Sequence, residues 1–143
     1  MPYVTEGRAA LGTLLERSAD GITYAAVAEV YNIEGPGGDS TEVDLTHHQS
    51  DGGYAEFAMS LKDGGTVKVD MNFLPGVAGQ SVLRSDFDAQ TKLYWKIIFP
   101  DTSFCTFRAF VKMPPSPKAP VKGKLDASAT LRVSGPVTIT AGS

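Results

Sequence analysis

Residues 66 to 73 read Thr-Val-Lys-Val-Asp-Met-Asn-Phe, so apolar and polar side chains alternate through the whole stretch. Successive side chains of a β-strand point to opposite faces of a sheet, and this alternation therefore predicts a strand with one apolar face. That face would carry Val67, Val69, Met71 and Phe73. The opposite, polar face would carry Thr66, Lys68, Asp70 and Asn72.

A second stretch, Lys124 to Ser134, repeats the pattern. Its apolar side would consist of Leu125, Ala127, Ala129, Leu131 and Val133. Its polar side would consist of Lys124, Asp126, Ser128, Thr130, Arg132 and Ser134. Two long strands of this kind predict a mainly β protein whose antiparallel strands cover a core with one face only.

Shorter strand signals precede residue 66. We interpret residues 8–18 as a strand, and a turn signal at Asp20-Gly21 leads into one long strand from Ile22 to Ile33, rich in β-branched and aromatic residues. Tyr54 to Ser60 is predicted as a short strand. Residues 62–65, Lys-Asp-Gly-Gly, would turn that strand back into the one at 66 as a hairpin.

One helix is predicted after the strand at 66, because the alternation stops at about residues 77–90 and Leu83 and Phe87 stand at helical spacing. The remaining segments are predicted as a strand hairpin at 91–99 and 103–113, an extended proline-rich edge connection at 114–122, and a short tail at 135–143. The strand at 91–99 would carry Leu93, Trp95, Ile97 and Phe99 on one side. The fold class is therefore an antiparallel β-sandwich or barrel of about seven or eight strands with one flanking α-helix.

The length, net charge and composition of the chain limit the classes of function that it could have. The 143 residues suit a single domain, 1–143, with an extended loop at 35–57 and short terminal arms. A formal charge of −3 gives no reason to expect tight binding to phosphate backbones. No signal peptide and no apolar run of membrane-spanning length is evident, so we expect folding in a cytoplasm without membrane insertion.

Candidates for chemistry are few. Cys105 is the single cysteine and alternates with apolar residues, so it is predicted to be a buried hydrophobe without a disulfide partner. His47 and His48, near Asp44 and Asp51, match no zinc spacing. No phosphate-binding glycine loop or nucleophile elbow occurs, so we expect no enzyme activity, no cofactor and no metal.

The polar stretch at 35–57 is long for a connection in a small domain, and such long loops tend to be functional. We expect it to contact a partner. The side chains that could make this contact are Asp39, Thr41, Asp44, Thr46, His47, His48, Asp51 and Tyr54.

The order and spacing of several motifs resemble the major tail tube proteins of bacteriophages with long, non-contractile tails, the siphophages. The resemblance runs nearly end to end. It is carried by residues 31–46 (Tyr-Asn-Ile-Glu-Gly-Pro-Gly-Gly-Asp-Ser-Thr-Glu-Val-Asp-Leu-Thr), 53–57 (Gly-Tyr-Ala-Glu-Phe), 61–65 (Leu-Lys-Asp-Gly-Gly), 95–101 (Trp-Lys-Ile-Ile-Phe-Pro-Asp), 107–111 (Phe-Arg-Ala-Phe-Val) and 131–136 (Leu-Arg-Val-Ser-Gly-Pro).

The resemblance implies a structural virion protein whose hexameric rings stack into a tail tube, a conduit that delivers DNA into the host. It implies that the loop at 35–57 reaches the next ring and that polar strand faces line the lumen. The candidate lumen-facing residues are Lys68, Asp70, Asn72, Asp126, Ser128, Thr130 and Arg132. Six copies at −3 each would give a ring a formal charge of −18, so DNA would pass without specific binding.

The same resemblance implies partners and a location. The partners would be further copies of the chain, a tape-measure protein, and tail-tip and tail-terminator proteins; the protein would assemble in the host bacterial cytoplasm and reside in the virion tail. A gene-transfer particle or a tail-like bacteriocin fits the same pattern. The alternative is a small β-sandwich binding module that recognises a carbohydrate or a protein, for which aromatic residues near the loop, Tyr54 and Phe57, are the only hint.

Overall fold

The structure is a computed structural model that describes residues 11–49, 51–74, 76 and 80–142. It contains one α-helix, α1 (Gln80–Ala89), and a short 3₁₀ turn at Asp51–Gly53. The strands are β1 (Leu14–Ser18), β2 (Ala25–Ala26), β3 (Val30–Glu34), β4 (Asp39–Asp44), β5 (Phe57–Asp63), β6 (Thr66–Asn72), β7 (Leu93–Ile98), β8 (Phe104–Lys118), β9 (Asp126–Val133) and β10 (Thr138–Thr140). The predicted mainly β fold with one helix is confirmed.

Eight strands form one antiparallel sheet. Seven of them follow one another in the order β2-β1-β7-β8-β9-β6-β3, and the eighth, β10, pairs with β8. Strand β8 is long enough to bind two neighbours along one edge, with β9 on its second half and β10 on its first three residues. The sheet curls so that β1 approaches β3, although β2 and β3 remain its two edge strands. Strands β4 and β5 form a separate two-stranded sheet.

The core lies inside this curl and contains the apolar faces that the sequence predicts. Val67, Val69 and Met71 of β6 are at most 1% exposed, and Trp95 is completely buried. The core also contains the alternate residues of β9, β7 and β8, which are Ala127, Ala129, Leu131, Val133, Leu93, Ile97, Cys105, Phe107, Ala109 and Val111. Burial raises the pKa of the Cys105 thiol, in keeping with its predicted role as a buried hydrophobe.

Helix α1 closes one end of the core. Leu83 is buried, Phe87 packs at the core margin, and both side chains lie on the predicted helix face. The buried amide of Gln80 donates to the carbonyl oxygens of Ala28 and Asn72 and accepts from the Leu74 amide, which fixes the start of the helix. The helix begins at 80 among the described residues; the predicted start at 77 lies outside them.

The predicted long strand from Ile22 to Ile33 is wrong as a single element. Residue Glu29 adopts a φ of +64°, which interrupts the strand, and the register between β3 and β6 shifts just after it. The result is the two-residue β2 and the separate β3, which pair with different neighbours at opposite edges of the sheet. Side-chain propensity could not reveal this break because it is a property of the backbone.

The predicted hairpin across residues 62–65 is also wrong. Strand β5 pairs with β4, whereas β6 pairs with β3 and β9, so the turn at 62–65 separates two sheets. Within the predicted loop at 35–57, residues 39–44 are a strand. The chain leaves the main sheet at Gly35, whose φ is +93° and where a Cβ would collide with the Thr66 carbonyl oxygen.

Three predictions in the second half need correction. The proline-rich segment at 114–122 continues β8 as far as Lys118, which pairs with Asp126 of β9. The tail contains β10, and the residues that the structure describes form ten strands where about seven or eight were predicted. Leu125 and Phe99, expected on apolar faces, are 47% and 37% exposed because both lie just beyond the ends of their strands.

Candidate assembly surfaces

The seven residues predicted to face a lumen lie together on one face of strands β6 and β9, here called the polar face. The register places Lys68 beside Thr130, Asp70 beside Ser128, and Asn72 beside Asp126. Arg132 lies beside Thr66 at the end of the pair. Strand β3 widens the same face, since Asn32 pairs with Asp70 and Glu34 with Lys68. The sequence could not show β3 in this position because its partner is distant along the chain.

Asp70 is the centre of a hydrogen-bond network on the polar face. Its two carboxylate oxygens accept from Asn32 Nδ2 at 2.9 Å and from Ser128 Oγ at 2.7 Å. These two hydrogen bonds stabilise the charged form and lower the pKa of Asp70. The network joins side chains of the three strands β3, β6 and β9, and it therefore makes the polar face more rigid.

We expect this network to make stability pH-dependent. Because the pKa of Asp70 is lowered on folding, its contribution is present above the unfolded value of about 3.9 and is lost as pH falls through the folded pKa. Thermal melting of the wild type should therefore decline more steeply below about pH 4 than that of Asp70→Asn. Ser128→Ala, which removes one donor, should give an intermediate slope. Parallel curves for all three proteins would contradict this assignment.

The cations of the polar face have acidic neighbours. Arg132 Nη2 lies 2.5 Å from Asp63 Oδ2, and Arg132 Nη1 donates to the Gly65 carbonyl at 2.9 Å. The pair lowers the pKa of Asp63 and raises that of Arg132. Lys124 lies 3.7 Å from Asp126 Oδ1 and sits over the Tyr31 ring. Arg132 and Lys124 are therefore offset by nearby carboxylates, and Lys68 of the polar face lies beside Glu34 in the register of β3 and β6.

The β4–β5 hairpin, residues 39–63, is the second surface. It contributes nothing to the main sheet, and its apolar side chains are exposed on both of its faces. The exposed fractions are 43% for Val43, 54% for Leu45, 53% for Phe57, 66% for Met59 and 77% for Leu61. An isolated two-stranded hairpin is marginal in water, so these side chains favour a contact with another molecule.

The residues predicted for an inter-ring contact lie along this hairpin and at its tip. Asp39, Thr41 and Asp44 belong to β4, and Tyr54 is 77% exposed beyond the tip. Thr46 Oγ1 accepts from the Glu56 amide at 2.8 Å, His47 Nε2 lies 3.4 Å from Glu56 Oε2, and His48 is exposed. The Asp51 side chain lies outside the described residues. The apolar members were missed, although the alternation of Phe57, Met59 and Leu61 was a detectable signal.

A cleft of about 600 Å³ lies where the curled sheet fails to close. It runs between the edge strand β3, the residues before β1, and the β7–β8 turn. Its apolar lining includes Leu11, Tyr31, Ile33, Ile97 and Phe99. This cleft could not be predicted from the sequence, because the segments that line it meet only when the sheet curls.

Within residues 11–49, 51–74, 76 and 80–142, no group of three or more His, Cys, Asp or Glu side chains could hold a metal ion. In the same part of the chain, α1 is too short to cross a membrane, and no other helix is long and apolar enough to do so.

The fold of this chain is similar to the folds of several solved tail and baseplate structures. The tail subunit of an empty gene transfer agent (GTA) particle, with C6 symmetry, superposes with a TM-score of 0.77 at 15% identity, covering 94% of this chain and 100% of that one. The SPP1 tail tube subunit gives 0.64 at 16% identity, with 90% and 76% covered. A chain of the anti-feeding prophage baseplate gives 0.70 at 7% identity, with 96% and 98% covered. At these identities the likeness concerns the fold.

The sequence comparison is more specific. No curated protein matches the chain. Residues 12–140 match the family described as lambda phage tail tube protein, TTP, and this match takes in nearly the whole polypeptide. The chain therefore belongs to the lambda phage tail tube protein family, and it is a structural protein of a virion tail.

Proposed function

We propose that copies of this chain join side by side into hexameric rings, that the rings stack into the tail tube, and that DNA passes through the lumen into the host. The observation that carries this proposal is the hairpin at 39–63. It exposes apolar and acidic side chains, and neither of its strands pairs with a strand of the main sheet. The C6 symmetry of the similar GTA tail supports six copies per ring.

The open edges of the main sheet support the lateral contact. Strands β2 and β3 each present one unpaired row of backbone groups, and such edges are templates for pairing with another chain. A contact between these two different edges would be head-to-tail, and head-to-tail contacts form a ring when their rotation closes. The apolar cleft beside β3 adds a surface that a neighbouring copy can cover.

The polar face is the proposed lumen lining. Its side chains carry nearly balanced charge, with Asp70 hydrogen-bonded and Arg132 paired with Asp63. A wall whose cations are already offset by carboxylates offers DNA phosphates little to bind, and its acidic excess repels them over roughly a Debye length of about 8 Å. The role is structural, with no catalytic step. Tape-measure, tip and terminator proteins are the further proposed partners, and assembly would take place in the host cytoplasm.

Electron microscopy of the concentrated protein tests the proposal directly. Hollow tubes or six-fold rings are the expected result. A persistent monomer that binds a glycan or a peptide would instead support a binding module.

The hairpin provides a sharper prediction. Ser40 and Lys62 are cross-strand partners, so residues 41–61 can be replaced by Asn-Gly, a two-residue turn suited to closing a hairpin. The variant should fold with a melting temperature within a few degrees of the wild type, because the deleted residues are outside the core. It should form no tubes. Tube formation by this folded variant would exclude the hairpin as an essential contact.

A further inference from the structure

Two projections of the subunit carry opposite charge. The acidic hairpin, residues 39–63, contains six acidic residues and one lysine, which are Asp39, Glu42, Asp44, Asp51, Glu56, Asp63 and Lys62. The basic arm, residues 112–124, contains four lysines and no acidic residue, and these lysines are Lys112, Lys118, Lys122 and Lys124. Such separation is notable in a chain whose net formal charge is only −3.

The strand register places the acidic hairpin and the distal half of the basic arm, residues 118–124, at opposite ends of β6, while the first half of the arm runs along β9 as part of β8. Strand β6 begins at Thr66, directly after the acidic hairpin, and Thr66 pairs with Arg132 near the end of β9. The other end of β6 is Asn72, which pairs with Asp126 at the start of β9. Asp126 in turn pairs with Lys118 of the basic arm. The seven residues of β6 separate its two ends by about 20 Å, so the hairpin and residues 118–124 of one copy lie far apart.

Both projections combine charge with exposed apolar side chains. On the acidic hairpin, Glu42 pairs with Met59 and Asp44 with Phe57, so carboxylates and large apolar groups share a face. On the basic arm, Met113 is 48% exposed and Val121 is fully exposed. The surfaces are therefore complementary in charge and alike in apolar content, which is the composition of a specific interface.

Neighbours of the basic arm do not neutralise it. Lys124 contacts Asp126 and the Tyr31 ring, and Glu29 at this end of the sheet accepts from Asn72 Nδ2. Lys112, Lys118 and Lys122 are exposed. Three lysine charges are thus available to a partner.

We propose that the acidic hairpin of one copy docks on the basic arm of a second copy, so that successive subunits align head to tail along the β6 axis. This inference rests on the proposed self-assembly and names the surface that receives the hairpin. The acidic hairpin and the basic arm of a single copy cannot bind each other, because the hairpin and residues 118–124 of the arm lie at opposite ends of β6. A head-to-tail contact that does not close by rotation propagates, as stacking of rings requires.

Zero-length crosslinking tests the contact in the unmodified protein. A carbodiimide joins lysine amines to carboxylates only where they touch. In an equal mixture of ¹⁴N- and ¹⁵N-labelled protein, mixed-isotope crosslinks between 39–63 and 112–124 are expected in mass spectra. Their absence, while other mixed-isotope crosslinks form, would overturn the inference. If these crosslinks appear but no tubes or rings form, the docking contact stands and the proposed tube function fails.

Charge reversal tests the energetics. Glu42→Lys/Asp44→Lys changes the formal charge of the hairpin from −5 to −1, and Lys118→Glu/Lys122→Glu changes that of the arm from +4 to 0. Each change removes most of the attraction between the two segments, so each variant should raise the concentration needed for these crosslinks and for assembly by at least about tenfold. Combining all four substitutions restores the net charge of the chain and the attraction between these four positions, and should recover assembly.

Asp88→Lys is the control for added charge, since Asp88 is exposed on α1 outside both projections. This variant should assemble like the wild type. Tubes that form equally well from the wild type and both reversed variants would overturn the inference while leaving the tube function intact. A combined variant as defective as its parents would also overturn it, provided that circular dichroism shows a folded subunit.

Discussion

A chain carrying Val69→Asp is expected to be unfolded at neutral pH. Val69 is 1% exposed and lies in the centre of the core strand β6, between Ile33 of β3 and Ala129 of β9. A carboxylate placed there has no hydrogen-bond partner and no access to water, and burying it costs several kcal/mol at least. Small domains are stable by only about 5–15 kcal/mol, so this one substitution removes most or all of that margin.

Circular dichroism and urea titration would measure this effect. The matched control is Thr66→Asp, which introduces the same carboxylate into the same strand at an exposed position across from Arg132. We expect the free energy of unfolding of this control to lie within about 1 kcal/mol of the wild-type value. A soluble, cooperatively folding Val69→Asp protein would mean that the two faces of β6 are assigned the wrong way round.

Removal of the Asp86 carboxylate should cause the second large loss of stability. Asp86 is a buried residue of α1, and Arg17 of β1 binds it side-on, with Nε 2.5 Å from Oδ2 and Nη2 2.6 Å from Oδ1. Arg17 lies beside Trp95 on the core-facing side of the sheet. Asp86→Ala leaves the Arg17 guanidinium, whose side chain is 21% exposed, without its carboxylate partner. We therefore expect the free energy of unfolding, measured with urea, to fall by about 3 kcal/mol.

Two further variants make this prediction specific. Asp88→Ala breaks an exposed pair on the same helix, in which Arg84 Nε lies 3.8 Å from Asp88 Oδ1, and should cost about 0.5 kcal/mol or less. Arg17→Leu/Asp86→Leu replaces the inner pair by apolar groups and should recover most of the stability lost by Asp86→Ala. Equal losses for Asp86→Ala and Asp88→Ala would show that the inner pair does not anchor the helix.

The sequence predicted the core well where one strand face is apolar throughout. In β6, β7 and β9 the alternation of side chains identified Val67, Trp95 and Leu131 as buried, because a period of two directly encodes which face turns inward. The polar face followed from the same pattern. Its residues Asp70 and Ser128 are not simply solvated, since they hydrogen-bond to each other.

The assembly surfaces were only partly predictable. Length and polarity predict a contact at residues 35–57, but they do not identify the exposed apolar side chains Met59 and Leu61. Alternating apolar and polar residues in a strand indicate that its apolar face is buried. The local sequence does not distinguish a strand that covers a core from one that projects into water. That distinction depends on the partner strand, which for β5 is β4 and not β6.

By itself, the amino-acid order determined the class of fold, the inward faces of the main strands and the family, because each of these is written in local periodicity and motif spacing. Tertiary structure alone decided which strands pair, how Arg17 meets Asp86 across 69 residues, and that the acidic hairpin and residues 118–124 of the basic arm lie at opposite ends of β6. The physical reason is that pairing and charge placement depend on long-range register. A short window of sequence carries the face of a strand but not the identity of its neighbour.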